Sequence, residues 1–97
     1  MTVMVSVEFK FKPEAAEAAI EGLKSALPET RGFKGCLDLK SYFEAETSSL
    51  LLIELWESAA DQQAYLAWRA ETGALDGLAD VLVAAPIFRT FDIRDDI

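Results

Sequence analysis

The sequence predicts an α+β fold in which one antiparallel sheet carries helices on one side. Three observations point there. Residues 2–11 alternate apolar and polar, which is the period of a half-buried strand. Residues 36–44 and 49–57 are both strand-like and are separated by the short polar run Glu46-Thr47-Ser48, a hairpin pattern. Helical spacing of apolar residues occupies the intervals between the first and second strands and between the third strand and the last.

In the first strand Val3, Val5, Val7, Phe9 and Phe11 share one face, and Met4, Ser6, Glu8 and Lys10 the other. Lys12-Pro13-Glu14 begins a helix, because proline is tolerated at the first helical position and Glu14 and Glu17 suit the positive end of the dipole. Ala16, Ile20, Leu23 and Leu27 form its buried stripe, and Pro28 is expected to stop it. Ser58-Ala59-Ala60-Asp61 fits a capping box, so a second helix is predicted from there to about residue 72, with Gly73 ending it. A shorter helix is predicted over about 75–83, with Leu75, Leu78, Ala79 and Leu82 inward. Pro86 then opens a last strand over 87–94. The order β-α-β-β-α-(α)-β with a four-stranded antiparallel sheet is the ferredoxin-like, split-βαβ arrangement.

The 97 residues contain no Gly/Ser/Pro-rich divider, so one domain spanning 1–97 is expected. Nine Lys/Arg against seventeen Asp/Glu give a formal charge of −8, which repels phosphate backbones and argues against nucleic acid as a partner. No apolar run approaches the roughly 20 residues of a membrane helix, so no membrane partner is expected. The lone Cys36 cannot form an internal disulfide, and no signal-peptide pattern precedes the first strand, so a cytoplasmic location is expected. The chain has no histidine, which removes Ser-His-Asp and Cys-His catalysis and the usual transition-metal ligand sets. Gly32 and Gly35 precede a strand, not a helix, so no dinucleotide fingerprint forms. Neither a metal nor a cofactor is expected.

On the third strand neither alternating set is polar. Leu51, Ile53 and Leu55 lie on one side, and Leu50, Leu52, Glu54 and Trp56 on the other. A sheet covered on one face only would leave leucines in water. Either the strand is fully buried within its own subunit or a second copy packs against it across a two-fold axis, and the homodimer is the expected answer.

A Val-rich strand leads into Phe11-Lys12-Pro13-Glu14, and Gly35-Cys36-Leu37, Glu54-Leu55-Trp56-Glu57-Ser58, Ala64-Tyr65-Leu66 and Pro86-Ile87-Phe88-Arg89-Thr90-Phe91 follow in order. In the order and spacing of these motifs, over nearly its whole length, the chain resembles the antibiotic biosynthesis monooxygenase (ABM) family. The resemblance implies a dimeric α+β barrel with a small-molecule pocket between sheet and helices in each subunit. Family activities include cofactor-independent oxygenation of phenolic polyketides or quinols, haem degradation and isomerisation of a small sugar-derived signal. The haem-degrading set of asparagine, tryptophan and histidine is not met: Val7 and Tyr65 stand in the first two positions, and the chain has no His or Asn. Tyr65 also stands where typical members carry a histidine, and Leu52 where polyketide-oxidising members carry an asparagine.

The resemblance therefore implies a cofactor-independent monooxygenase acting on a small aromatic molecule, a hydroquinone or polyketide phenol, whose anion reduces dioxygen directly. Glu54 and Tyr65 are the expected catalytic residues, and Val7, Leu52, Trp56, Trp68 and Arg69 the expected substrate contacts. Glu54 shares a strand face with Trp56, and burial would raise its pKa into the range of a general base; the alternative is an ion-paired or capping glutamate. Trp56 is a pocket wall or an ordinary core anchor. Asp61, Tyr65 and Arg69 line one helix face, as a solvated line or as a donor pair for a substrate oxyanion, with Ala60, Ala64, Ala67 and Trp68 on the other side. Isomerase-type proton transfer in the same pocket, and non-catalytic binding by a dimer, are the competing functions.

Overall fold

The structure, a computed structural model, describes residues 1–73 and 77–97. Its elements are β1 (Val3–Lys10), α1 (Ala16–Arg31, preceded by a 3-10 turn at Pro13–Ala15), β2 (Cys36–Glu44), β3 (Ser49–Trp56), α2 (Ala59–Glu71), α3 (Leu78–Val81) and β4 (Ile87–Asp92). The strands form one antiparallel sheet in the order β2-β3-β1-β4. This is the α+β, four-stranded arrangement that the alternation and helix spacing predict.

Strand alternation sets the two faces. Val3, Val5, Val7 and Phe9 stand opposite Trp56, Glu54, Leu52 and Leu50 in register, and all eight are buried beneath the helices. The intervening Met4, Ser6 and Glu8 pair with Leu55, Ile53 and Leu51 on the outer face, which is half-buried or exposed. The hairpin between β2 and β3 turns at Ser48, whose φ of 52° is left-handed, and the Ser48 carbonyl accepts from Phe11 N–H.

Two predicted boundaries change. Pro28 does not stop α1, which runs one turn further to Arg31. Proline deprives Lys24 of its helical donor, but bonds from outside hold the added turn. Arg69 Nη2 donates to the Ala26 carbonyl at 2.8 Å and to Thr30 Oγ1 at 3.0 Å, and Arg31 donates to the Leu39 carbonyl through Nε and Nη2. The predicted 75–83 helix is confined, among the described residues, to Leu78–Val81; its start at Leu75 lies outside them. It ends early because Leu82 is extended and bridges Phe11, with Val83 N–H donating to the Lys10 carbonyl and Lys12 N–H to the Val81 carbonyl. Those bonds satisfy backbone groups that a continued helix would have used internally. β4 ends two residues before the predicted 94.

One close approach fixes the entry to α2. Ser58 caps the helix, its hydroxyl oxygen accepting from Asp61 N–H at 3.1 Å, and Glu57 N–H donates to the Gly35 carbonyl at 2.8 Å. Gly35 has a φ of +91°, and a Cβ there would lie 2.5 Å from the Asp61 side chain. Gly35→Ala combines left-handed strain with a steric clash, so it is expected to destabilise by about 2–3 kcal/mol. Urea denaturation checks this, and an unshifted midpoint would contradict it.

Candidate active site

A half-open cavity of about 630 Å³ lies between the inner sheet face and α2–α3. That is ample for a two- or three-ring aromatic molecule, since small-molecule pockets run from about 300 to 1,000 Å³. Val7 and Phe9 on β1, Leu52 and Glu54 on β3 and Phe88 on β4 form its floor. Gln62, Tyr65, Leu66 and Arg69 form one wall, and Leu78, Ala79 and residues 82–86 close another. The floor and the α2 wall follow from local patterns: β1 and β3 contribute alternate residues, and α2 contributes positions spaced three and four apart.

Glu54 is the feature that local patterning does not demand. It occupies an inward strand position between Leu52 and Trp56 and is 4% exposed. Trp56 Nε1 donates to its Oε1 at 2.8 Å, and it has no ion pair among the described residues. Burial therefore dominates: desolvation pushes the carboxyl above the ordinary range, and the Trp56 hydrogen bond only partly opposes it. Neither an ion pair nor a helix cap accounts for this residue. Burial, and secondarily the Glu54 charge, also push the Cys36 thiol up, which disfavours the reactive thiolate.

On α2 the polar line faces inward, the reverse of a solvated stripe. Arg69 is 5% exposed, while Ala60, Ala64 and Ala67 lie in solvent. Arg69 Nε donates to Tyr65 Oη at 2.8 Å, and Tyr65 Oη lies 2.6 Å from Thr30 Oγ1. The guanidinium sits 5.2 Å from the Tyr65 ring centroid and 4.8 Å from that of Trp68, within cation–π range. Asp61 leaves this line for the helix cap, accepting from the Ser58 hydroxyl.

Of the residues expected at the site, Glu54, Tyr65, Val7, Leu52 and Arg69 converge on the cavity, while Trp56 and Trp68 are not among the residues lining it. Trp56 is fully buried behind Tyr65, 5.3 Å away between ring centroids, and Phe33 packs against both tryptophans and Tyr65. Trp56 thus takes its core-anchor alternative, and neither tryptophan lines the cavity as the expected substrate contacts would. Their rings belong to an aromatic cluster with Phe33 and Tyr65, in which Trp56 is completely buried and Trp68 half-buried. Sequence reasoning missed Gln62, Phe9, Phe88 and residues 83–86, while Leu78, Ala79 and Leu82, expected on an inner helix face, do line the cavity. The spacing 62-65-66-69 could have identified Gln62, since it shares the face of Tyr65 and Arg69. Residues 83–86 carried no periodic signal.

The fold and the cavity define a small α+β protein with one sheet face given to helices and a ligand-sized, mostly apolar space between them. The chain belongs to the antibiotic biosynthesis monooxygenase family, whose sequence model matches residues 2–79. It is similar in fold to a conserved protein from Methanosarcina mazei, with a TM-score of 0.85 at 20% identity over 97% of this chain and 94% of that one. A candidate antibiotic biosynthesis monooxygenase from Deinococcus radiodurans superposes with a TM-score of 0.83 at 21% identity, covering 98% of this chain and 95% of that one. A protein from Mycobacterium tuberculosis shares 23% identity and a TM-score of 0.77, with 98% and 97% of the two chains covered. None of the curated proteins is a significant sequence match. No helix among the described residues is long and apolar enough to cross a membrane.

Proposed function

We propose that this protein is a cofactor-independent monooxygenase that oxidises a small aromatic hydroquinone or polyketide phenol in the sheet–helix cavity. The single observation that carries the reading is Glu54: a buried carboxyl without an ion-pair partner among the described residues, raised in pKa, on the floor of an apolar cavity of ring-system size. Such a group is suited to take the proton of a phenol or enol and to hold it away from water. For a hydroquinone, substrate plus O₂ gives hydroxyquinone plus water. Four electrons leave the substrate, one oxygen atom enters the product and the other leaves as water.

In the first step Glu54 accepts the O–H proton. The resulting anion passes an electron to dioxygen, and the two radicals join through a new C–O bond to form a peroxide. The ring C–H proton passes to the outer peroxide oxygen as the O–O bond breaks, leaving a carbonyl and releasing hydroxide, which takes a proton from the Glu54 carboxylic acid to give water. Tyr65 steadies negative charge on the substrate oxygen. Arg69 Nε donates to Tyr65 Oη, and Arg69 Nη2 to Thr30 Oγ1. With the Thr30 hydroxyl donating to Tyr65, the phenolic hydrogen is free to point into the cavity. The acid–base chemistry requires no group beyond these side chains.

The test is oxygen uptake in a sealed electrode with a panel of hydroquinones and anthrones. Catalysed uptake above autoxidation, with no oxygen returned on addition of catalase, is expected. Peroxide release would identify an oxidase, and tight binding without uptake would leave a binding protein. Uptake-independent turnover of a substrate would favour proton transfer alone.

The family resemblance and the outer sheet face together support a homodimer. Leu51 is 37% exposed there, with Ile53 and Leu55 on the same side and Tyr42 opposite Leu51 on β2. A charge introduced into an apolar interface is expensive to bury. Leu51→Glu is therefore expected to convert a dimer to a monomer at micromolar concentration; sedimentation equilibrium checks this, and a wild-type monomer would refute the assembly.

A further inference from the structure

Glu54 and Trp56 occupy successive inward positions of β3, a strand with a neighbour on each side, so the two side chains rise from one face. β1 and β2 set Val5 and Leu39, both buried, beside Glu54. The indole is 0% exposed, and Tyr65 and Phe33 pack on it at ring-centroid distances of 5.3 and 6.5 Å. Its polar atom, Nε1, donates to Glu54 Oε1 at 2.8 Å. No buried side-chain nitrogen or oxygen among the described residues lacks a partner, and this bond is what satisfies the indole N–H. Glu54 lines the cavity and Trp56 does not. The carboxyl therefore turns its Oε1 edge back to the indole, and Oε2 is the edge left to the cavity.

From this geometry we infer that Trp56 is a positioning residue: its N–H holds Oε1 as an acceptor and thereby places the transferred proton on Oε2, at the cavity edge. The inference rests on Glu54 being the base, as proposed above, and deepens that reading by naming the atom that carries the proton and the group that selects it. An indole N–H donates and cannot accept. A proton on Oε1 would lie against that donor and forfeit the bond, leaving a wholly buried N–H unpaired. A proton on Oε2 keeps the bond. The substrate's O–H proton then arrives on the oxygen from which the departing hydroxide takes it, and the carboxyl need not rotate between the two transfers.

Neighbouring charged and titratable groups do not make this selection. On α2, Arg69 is committed to Tyr65 Oη, Thr30 Oγ1 and the Ala26 carbonyl, and the Tyr65 hydroxyl belongs to that network. On α1, Arg31 is turned to the Leu39 carbonyl. On β2, the Cys36 thiol is pushed up by burial and by the Glu54 charge, so it stays neutral. What α3 and β4 bring to the cavity is apolar: Leu78, Ala79 and Phe88.

The experiment replaces Trp56 by 3-benzothienylalanine, which puts sulfur where the N–H stands at nearly the same size; Trp56→Phe is the second variant. The first readout is the pH titration of Glu54 by carbon-13 NMR of the glutamate carboxyls without substrate, its resonance being the one missing in Glu54→Gln. In the wild type the Trp56 indole N–H resonance is expected to move with the same midpoint, and that of Trp68 is not. Loss of the N–H should carry the Glu54 midpoint to higher pH, because the carboxylate loses the donor that opposes its burial. The second readout is oxygen uptake at a pH above the shifted midpoint. There kcat is expected to fall about tenfold, the scale of one hydrogen bond to a charged group, with KM within about twofold of the wild type. A Glu54 midpoint unmoved by the sulfur replacement would overturn the inference, as would an indole resonance indifferent to the titration. So would an unchanged kcat, whatever the KM. If no compound is oxidised, the monooxygenase reading fails by itself, and the two titrations still decide whether Trp56 selects the protonated oxygen.

Discussion

Glu54→Gln is expected to lower catalysed oxygen uptake by about 100- to 10,000-fold, the range associated with loss of a general base. Glutamine keeps the size of the side chain and can still accept from Trp56 Nε1 through its amide oxygen, so the aromatic cluster behind the cavity is preserved. The wild-type rate should rise with pH through an ionisation above the ordinary carboxylate range, because only the carboxylate takes the proton and burial has raised its pKa. That limb should vanish in the variant. Stability should respond in the opposite sense. The unfolded chain gives up this proton at ordinary carboxylate pH, while the folded chain retains it further up the scale. Between those two values the folded state binds more protons, so the contribution of Glu54 is fully present at acid pH and is lost as pH rises through the folded value. Glu54→Gln should therefore gain in melting temperature relative to the wild type as pH rises from the ordinary carboxylate range through the raised folded value. A rate profile without the limb, or a variant with undiminished uptake, would remove Glu54 from the base role.

Arg69→Met is expected to destabilise the fold by about 2–4 kcal/mol, which for a chain of this size lowers the melting temperature by roughly 10 °C or more. The guanidinium joins α2 to α1 through the Ala26 carbonyl and Thr30 Oγ1, and it fixes Tyr65 within its own helix. Methionine keeps much of the stem's packing against Tyr65 and Trp68 but leaves the Ala26 carbonyl without its bond from Arg69, on a stretch of α1 that Pro28 already weakens. The ion pair to Glu29 contributes little to this figure, since it is 4.0 Å long and its carboxylate is exposed. Guanidinium denaturation measures the loss. A midpoint unchanged by the substitution would show that the helix pair is held by apolar packing alone.

The strands were legible because their signal is local. Val3 to Phe9 alternate with polar residues, and the hairpin partners match that alternation across Glu54, Leu52 and Leu50, so one pattern specifies both register and face. The capping of α2 was legible for the same reason, since Ser58 and Asp61 meet within one turn. The end of α1 was not. Proline's local cost is real, but it is outweighed by donors from Arg69, which lies 41 positions beyond Pro28 in the chain. The inner face of α2 was left open between two readings because a line of Asp, Tyr and Arg looks like a solvated stripe until α1 supplies the acceptors that allow arginine to be buried. Gln62 was overlooked on the same grounds: the sequence does not say which polar residue is covered.

What the sequence determines by itself is the order of elements, the two faces of the sheet, the chain's membership of a family and the presence of a carboxylate among inward-facing residues of β3. Periodicity and capping act between neighbours a few positions apart, so they survive without knowledge of the rest of the chain. The tertiary structure alone decides that Glu54 has no countercharge among the described residues, that Trp56 and Trp68 stand behind the cavity and not in it, and that Gln62 faces the same space as Glu54. Those facts depend on which distant groups share a low-dielectric volume, and both pKa and hydrogen-bond satisfaction are set by that sharing.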